Sequence, residues 1–177
     1  MYRYEDAAFI AHPRTASVAA GYILKENGWR KPILGHHEID PELPKTVISV
    51  IRETEDWIVS WYYHVVHPRT KNDPTFADWL PGFLENPNYT DFTRGFHGLP
   101  HTTHLIFYDR LQAGFDAVFD DLGLKPVVLP HLNVRNREKR PASDFFTDSL
   151  RNLLDKRQIV CYDSYRKLLG DQKYLRI

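Results

Sequence analysis

A short apolar run that changes into a polar turn and then into a helical pattern is the feature that most constrains this chain. The run covers residues 7–11 and has the character of a buried strand. Pro13 interrupts it, and a helical pattern follows from Ala16 to Lys25. A strand, a tight turn and a helix in this order make an anion site. The first N–H groups of a helix have no partner within it, and the helix dipole favours negative charge there.

The turn adds side chains that suit an anion. It consists of Pro13, Arg14, Thr15, Ala16 and Ser17. Arginine brings a fixed positive charge with a planar set of donors, and threonine and serine bring hydroxyls. The turn lacks the glycine patterns of ATPase loops and of dinucleotide-binding folds. We predict that it holds the phosphate end of a nucleotide. The alternative is an ordinary proline turn whose serine or threonine caps the helix.

The rest of the chain alternates between short apolar strands and helical patterns. We predict strands at residues 33–34, 46–52 and 104–108, and helices at about 16–27, 54–65, 111–122 and 147–169. Such alternation is typical of an α/β fold with a mainly parallel sheet, here in one domain over residues 1–177. Residues 67–103 interrupt it with many prolines and aromatic residues. We expect a folded excursion that either lines a substrate cleft or packs on the sheet as a structural flap.

The composition limits the classes of function. The 23 basic and 23 acidic residues give a net charge of zero, so the chain as a whole shows no sign of nucleic-acid binding. Any anion site must therefore be local. No apolar run approaches the ~20 residues needed to cross a bilayer, and the first residues do not form a signal peptide pattern. We expect no nucleic-acid partner, no membrane insertion and a cytoplasmic location.

Two further strand ends carry polar residues. Arg52 ends the clearest strand, and Ser60 lies in the second turn of the helix that follows. A charge at a strand end and a hydroxyl one or two turns into the next helix can converge on one anion. Gly35, His36 and His37 follow the short strand at 33–34, at a strand end of the kind where α/β sheets bind their ligands.

Together these motifs resemble the sulfotransferases that use 3′-phosphoadenosine-5′-phosphosulfate (PAPS), and most of all their carbohydrate-modifying branch. The turn at residues 13–17 is similar to the family motif that binds the 5′-phosphosulfate. Ser60 stands eight residues after Arg52, which is the family's spacing for the pair that binds the 3′-phosphate. Gly35-His36-His37 is similar to the strand end that supplies the catalytic base. The segment 129–134, followed by a basic run, is also similar to that branch.

The resemblance implies a P-loop-like three-layer fold, with a short, mainly parallel central sheet flanked by helices. It also implies in-line transfer of a sulfuryl group from PAPS to an acceptor hydroxyl, with no metal. The acceptor is a carbohydrate or another small molecule. By analogy with phosphoryl transfer, catalysis then rests on positioning and charge stabilisation. The residues implied for the phosphosulfate are Pro13, Arg14, Thr15, Ala16 and Ser17, and those for the 3′-phosphate are Arg52 and Ser60. The implied base is His36, with His37 and Glu38 as the alternatives. The implied cations near the cofactor are Arg135, Arg137, Lys139 and Arg140.

Arg14 departs from the family, which has a lysine at this position. Arginine stays protonated, so it can neutralise a leaving phosphate but cannot give up a proton. A second hypothesis is therefore a non-catalytic nucleotide-binding protein with a decayed active site. A kinase-like phosphoryl transferase is a weaker third, because no Walker lysine or magnesium carboxylate is evident in the sequence. A purely structural domain is weaker still.

Overall fold

The computed structural model describes residues 1–30, 42–66, 72–86, 101–126, 128–130, 141–156 and 174–176. The strands in these segments form one sheet whose spatial order follows the chain order. They are β1 (Tyr2–Tyr4), β2 (Ala7–Ile10), β3 (Thr46–Ile51), β4 (His104–Phe107) and β5 (Leu175–Arg176). β2, β3 and β4 are parallel, and β1 and β5 pair antiparallel with them at the two edges. The predicted α/β class with a parallel central sheet is confirmed.

The three central strands form where the sequence is most continuously apolar. Every residue of β2 and β4 is buried, and all but the first residue of β3 are buried too. Burial on both faces is characteristic of parallel strands that are covered by helices. Each of these strands begins at the predicted residue and ends one residue before the predicted end.

Helices cover both faces of the sheet. On one face, Phe9 and Ile106 pack with the first and fourth helices. On the other face, Ile51 and Leu105 pack with the second, third and fifth. The described segments therefore form three layers. These helices are α1 (Ser17–Glu26), α2 (Thr54–Val65), α3 (Phe76–Glu85), α4 (Leu111–Asp121) and α5 (Asp148–Lys156).

α1 turns a different face to the sheet from the one that its apolar residues suggest. The sequence predicts an apolar face of Val18, Tyr22 and Ile23. Ile23 is buried, but the side chains of Val18 and Tyr22 are 52% and 54% exposed. The reason is a close approach between α1 and β1. A Cβ atom added to Gly21 would lie 2.2 Å from the hydroxyl oxygen of Tyr2. Gly21 allows this approach and shares the buried face of α1 with Ile23 and Leu24, whereas Val18 and Tyr22 point outward.

The cap of α2 also differs from the prediction. Thr54, at the start of the helical pattern, is the N-cap that the sequence predicts, but the N-cap in the structure is Glu53. Its longer carboxylate accepts from the N–H groups of both Glu55, at 2.9 Å, and Asp56, at 2.6 Å. One side chain thus satisfies two of the N–H groups that a helix start leaves without partners.

The excursion at 67–103 contains more regular structure than its composition indicates. Residues 76–85 form α3, whose start is fixed by a capping box between Thr75 and Asp78. Leu80 and Phe83 of this helix are buried against α2. The described part of the excursion therefore includes a helix that packs against α2. Its role as a wall of a substrate cleft stays a prediction.

Other sequence predictions fall partly outside the described residues. The strand at 33–34 lies outside them, and so does the last predicted helix beyond residue 156. In the parts of the chain that are described, no helix combines the length and the apolar character needed to span a membrane.

Candidate functional site

Three strand ends meet at one edge of the sheet. β2, β3 and β4 are parallel and in register, with Ile10 beside Ser49 and Ile51 beside Phe107. Their carboxyl ends therefore lie side by side, which is where open α/β sheets bind their ligands. β2 leads into the turn at residues 12–16, β3 into Arg52 and β4 into Tyr108.

The turn after β2 has an unusual backbone. Arg14 has a φ of 65° and Ala16 a φ of 61°, whereas Thr15 between them is not among the residues with positive φ. For a residue that is not glycine, this left-handed conformation costs roughly 1–2 kcal/mol. Backbones that alternate in this way point successive N–H groups into a concavity that binds anions. The turn thus carries strain in a geometry that suits a phosphate.

The first turn of α1 has no side-chain cap. Its N-cap is Ala16, which has no side-chain acceptor. The Thr15 hydroxyl donates instead to the carbonyl oxygen of His12 at 2.8 Å. The alternative of a serine or threonine cap is therefore contradicted. The positive end of the α1 dipole and its leading N–H groups are directed toward the turn at the sheet edge.

Ser60 contacts the turn from α2. The Nε of Arg14 donates to the Oγ of Ser60 at 3.1 Å, although the two residues lie 46 positions apart in sequence. Ser60 is completely buried, whereas Arg14 is half-buried. The buried hydroxyl holds the inner edge of the guanidinium and so restricts where the rest of the group can point.

Arg52 contacts the same turn from the end of β3. Its Nη1 donates to the carbonyl oxygen of Arg14 at 3.0 Å, and its Nε pairs with the carboxylate of Asp56. Its guanidinium carbon also lies 4.2 Å from the centre of the Tyr108 ring. The guanidinium is thus held by a backbone carbonyl, a carboxylate and an aromatic face, and it is 7% exposed.

Trp57 completes the support of the turn. Its indole N–H donates to the carbonyl oxygen of Pro13 at 2.9 Å, and its ring is buried in the core between α2 and α3. Successive carbonyls of the turn, at Pro13 and Arg14, are therefore bound by side chains from Arg52 and α2. This leaves the N–H side of the turn directed away from those carbonyl contacts.

The electrostatic balance of the site is set by two arginines and the acidic start of α2. Arg14 and Arg52 bring two positive charges, and Asp56 is paired with Arg52. Burial raises the pKa of the Glu53 carboxyl above its usual value, although the N–H groups of Asp56 and Glu55 oppose the change. This carboxyl therefore takes up a proton more readily than an exposed glutamate does.

The structure brings together all the predicted site residues that it describes. The turn at residues 13–17, Arg52 and Ser60 form one connected group through the contacts at Arg14. The other predicted site residues lie outside the described segments, so the structure does not place them. They are His36, His37, Glu38, Arg135, Arg137, Lys139 and Arg140.

Three residues of the site were not predicted to belong to it. The helical spacing of Trp57, Ile58 and Trp61 predicts an apolar face of α2, but this pattern does not indicate the contact of the Trp57 indole N–H with Pro13. Asp56 lies in the first turn of α2, four residues after Arg52, and opposite charges this close in sequence could have indicated the pair. Tyr108 directly follows β4, so its place at the strand ends could have been inferred from the parallel sheet.

Within the described segments, no group of histidine, cysteine, aspartate or glutamate side chains is arranged to hold a metal ion. Comparison of the chain with models of protein families, with curated proteins and with solved structures finds no match. The geometry and the chemistry of the site are therefore what indicate a function.

Proposed function

We propose that the protein is a sulfotransferase that transfers a sulfuryl group from PAPS to an acceptor hydroxyl on a carbohydrate. One observation carries the proposal: Arg14 in the turn after β2 contacts both Arg52 and Ser60, which lie 38 and 46 positions away in sequence. Two motifs that were identified separately in the sequence thus share one site. The same arrangement supports a P-loop-like fold as the finer description of the α/β class.

The donor groups of the site fit a phosphate ester. The uncapped start of α1 offers N–H groups, and Arg14 and Arg52 offer charge-assisted donors. When bound, PAPS supplies a sulfuryl group activated by a phosphate leaving group. Arg14 then stabilises the negative charge that develops on the leaving phosphate, without transferring a proton. Arg52 binds the 3′-phosphate.

The position of Ser60 suggests a more specific role than the one implied by the resemblance. Its hydroxyl contacts Arg14, so in this site it orients the guanidinium next to the phosphosulfate. Positioning of this kind matters because catalysis of in-line transfer depends on geometry and charge. In the proposal, His36 removes the proton of the acceptor hydroxyl, with His37 and Glu38 as the alternatives.

The decisive experiment measures transfer of ³⁵S-sulfate from labelled PAPS to a panel of sugars, phenols and peptides. Transfer to sugars that is lost in Arg14→Ala and kept in Lys25→Ala supports the proposal. Lys25→Ala is the matched control because it removes one positive charge from the far end of α1. The same assay applied to His36→Ala, with His101→Ala as the control, tests the assignment of the base.

A second candidate is a nucleotide-binding protein that has lost catalysis. The observation in its favour is Arg14 itself, which stands where the resembling enzymes have lysine and which cannot act as an acid. This candidate predicts tight binding of adenosine 3′,5′-bisphosphate without transfer to any acceptor. Calorimetry on the same preparation used for the transfer assay distinguishes the two functions. The carbohydrate acceptor and the cytoplasmic location are proposals as well.

A further inference from the structure

Arg52 already has a carboxylate partner where an anionic ligand is expected. Its Nε donates to the Oδ2 of Asp56, which lies four residues further along the chain in the first turn of α2. The Arg52 side chain is 7% exposed, whereas that of Asp56 is 39% exposed. Asp56 is therefore the member of the pair that reaches solvent and that can turn away from its partner.

The other contacts of Arg52 hold it in place. Its Nη1 bonds to the backbone carbonyl of Arg14, and its guanidinium lies over the ring of Tyr108. Asp56 and the carbonyl engage two of the five N–H donors that an arginine has. The remaining donors have no partner among the described residues. A phosphate that binds this guanidinium in a bidentate manner, through Nε and a terminal nitrogen, can do so without moving Arg52, but it must displace Asp56 from Nε.

We propose that Asp56 is an exchangeable counter-ion, which neutralises Arg52 in the unliganded protein and is displaced by the phosphate of the ligand. This inference rests on the proposed function, because it takes the ligand to be a nucleotide with a 3′-phosphate. A phosphate carries close to two negative charges and three acceptor oxygens, whereas the carboxylate carries one charge and two oxygens. The phosphate therefore binds the guanidinium more strongly and displaces the half-exposed carboxylate of Asp56, which is then hydrated again.

Asp56 thereby sets the affinity and the selectivity of the site. A ligand must replace an existing ion pair, so weak anions gain little from Arg52. A 3′-phosphate gains more, because it keeps the contact with Arg52 after Asp56 has moved. The carboxylate also avoids leaving a buried arginine without a counter-charge in the empty protein, which would be strongly destabilising.

The test compares the wild type with Asp56→Asn. Asparagine keeps an oxygen that can accept from the Nε of Arg52 but removes the negative charge. By calorimetry, Asp56→Asn is expected to bind adenosine 3′,5′-bisphosphate about tenfold more tightly, which equals ~1.4 kcal/mol. Binding of 5′-AMP should change little. Asp120→Asn is the matched control, since it removes one charge from an exposed position near the end of α4.

Thermal unfolding separates a counter-ion from a simple structural ion pair. Without nucleotide, Asp56→Asn should melt at a lower temperature than the wild type. With saturating bisphosphate the difference should vanish, because the phosphate then supplies the missing charge. Weaker binding of the bisphosphate by Asp56→Asn, together with a stability loss that persists in the complex, would overturn the proposal. Asp56→Ser serves in the same comparison if the asparagine variant does not fold.

A second probe keeps this inference separate from the proposed function. If neither the wild type nor Asp56→Asn binds the bisphosphate, the proposed function fails, and inorganic pyrophosphate becomes the probe. About tenfold tighter binding of pyrophosphate by Asp56→Asn than by the wild type then sustains the counter-ion. Equal binding of pyrophosphate by the two proteins overturns it.

Discussion

The Nε of Arg14 donates to the buried hydroxyl of Ser60 at 3.1 Å, across 46 positions of the sequence. This bond connects the turn after β2 to the second turn of α2. It engages the inner edge of the guanidinium, and the terminal nitrogens of an arginine held in this way extend beyond that contact. The direction of the charge in the turn is thus fixed by a residue on a different element.

Replacing Arg14 tests whether this charge acts on the leaving phosphate. Arg14→Ala should lower turnover of PAPS by ~100-fold or more, because a donor that acts in the transition state is lost. Arg14→Lys should retain substantial activity, since the resembling enzymes use lysine. Steady-state transfer rates with the labelled donor measure both variants. Normal binding and turnover of PAPS by Arg14→Ala would show that the turn is not the phosphate site.

Replacing Arg52 tests the choice of nucleotide. The wild type should bind adenosine 3′,5′-bisphosphate more tightly than 5′-AMP by about ten- to a hundredfold, because a charge-assisted contact contributes roughly 1.5–3 kcal/mol. Arg52→Ala should remove most of this preference. Calorimetric titration of both nucleotides into both proteins gives the comparison, and Lys25→Ala serves as the control for net charge. Equal affinity of the wild type for the two nucleotides would contradict the assignment.

The central strands and the positions of Arg52 and Ser60 could be predicted because their signals are local. β2, β3 and β4 are continuous apolar runs, and runs of this kind form buried strands wherever a sheet can cover them. Arg52 directly follows such a run, and Ser60 follows at a fixed spacing on the next helix. The location of these residues therefore follows from the fold class alone.

The parts of the fold that could not be predicted depend on contacts between segments that are distant in sequence. β1 and β5 hold three and two residues, and they are strands because they pair with β2 and β4 rather than through a pattern of their own. The orientation of α1 depends on the contact between Gly21 and Tyr2. The residues of the capping box before α3 can be recognised in the sequence, but the prolines around them argue against a helix there, so α3 was not predicted.

The contacts within the site could not be predicted for a related reason. Asp56 could be identified as a sequence neighbour of Arg52. The carbonyl of Arg14 and the ring of Tyr108, however, contact Arg52 from the ends of other strands. Which strand ends touch depends on the order of strands in the sheet. That order is a property of the whole chain, so local patterns do not contain it.

Ala16 offers a test of the strained turn. Its φ of 61° is disfavoured for alanine and more strongly for a β-branched residue. Ala16→Val should lower the free energy of unfolding by ~2 kcal/mol or more and weaken binding of the bisphosphate. Ala16→Gly should keep or slightly raise the stability, because glycine adopts this conformation without strain. Urea denaturation measures both variants, and equal losses of stability in the two would show that the turn is not strained at Ala16.

His104 gives the protein a predictable dependence of stability on pH. Burial lowers the pKa of His104 below 6.5, the nearby Arg176 lowers it further, and Asp121 opposes the change. The ring bonds to the Thr103 hydroxyl through Nδ1 at 2.8 Å and stacks on Tyr174, whose hydroxyl bonds to Asp121. The folded protein therefore takes up a proton here less readily than the unfolded chain does.

The free energy of unfolding should accordingly be at its full value above pH 6.5 and should fall as the pH is lowered from there toward the pKa of the folded state. His104→Phe keeps an aromatic ring against Tyr174 but removes the titration, so its stability should depend less on pH over this window. Urea denaturation at several pH values below and above 6.5 measures the slopes. His101→Gln is the matched control, because it replaces a histidine at an exposed position. Parallel slopes for His104→Phe and the wild type would show that His104 does not cause the loss of stability.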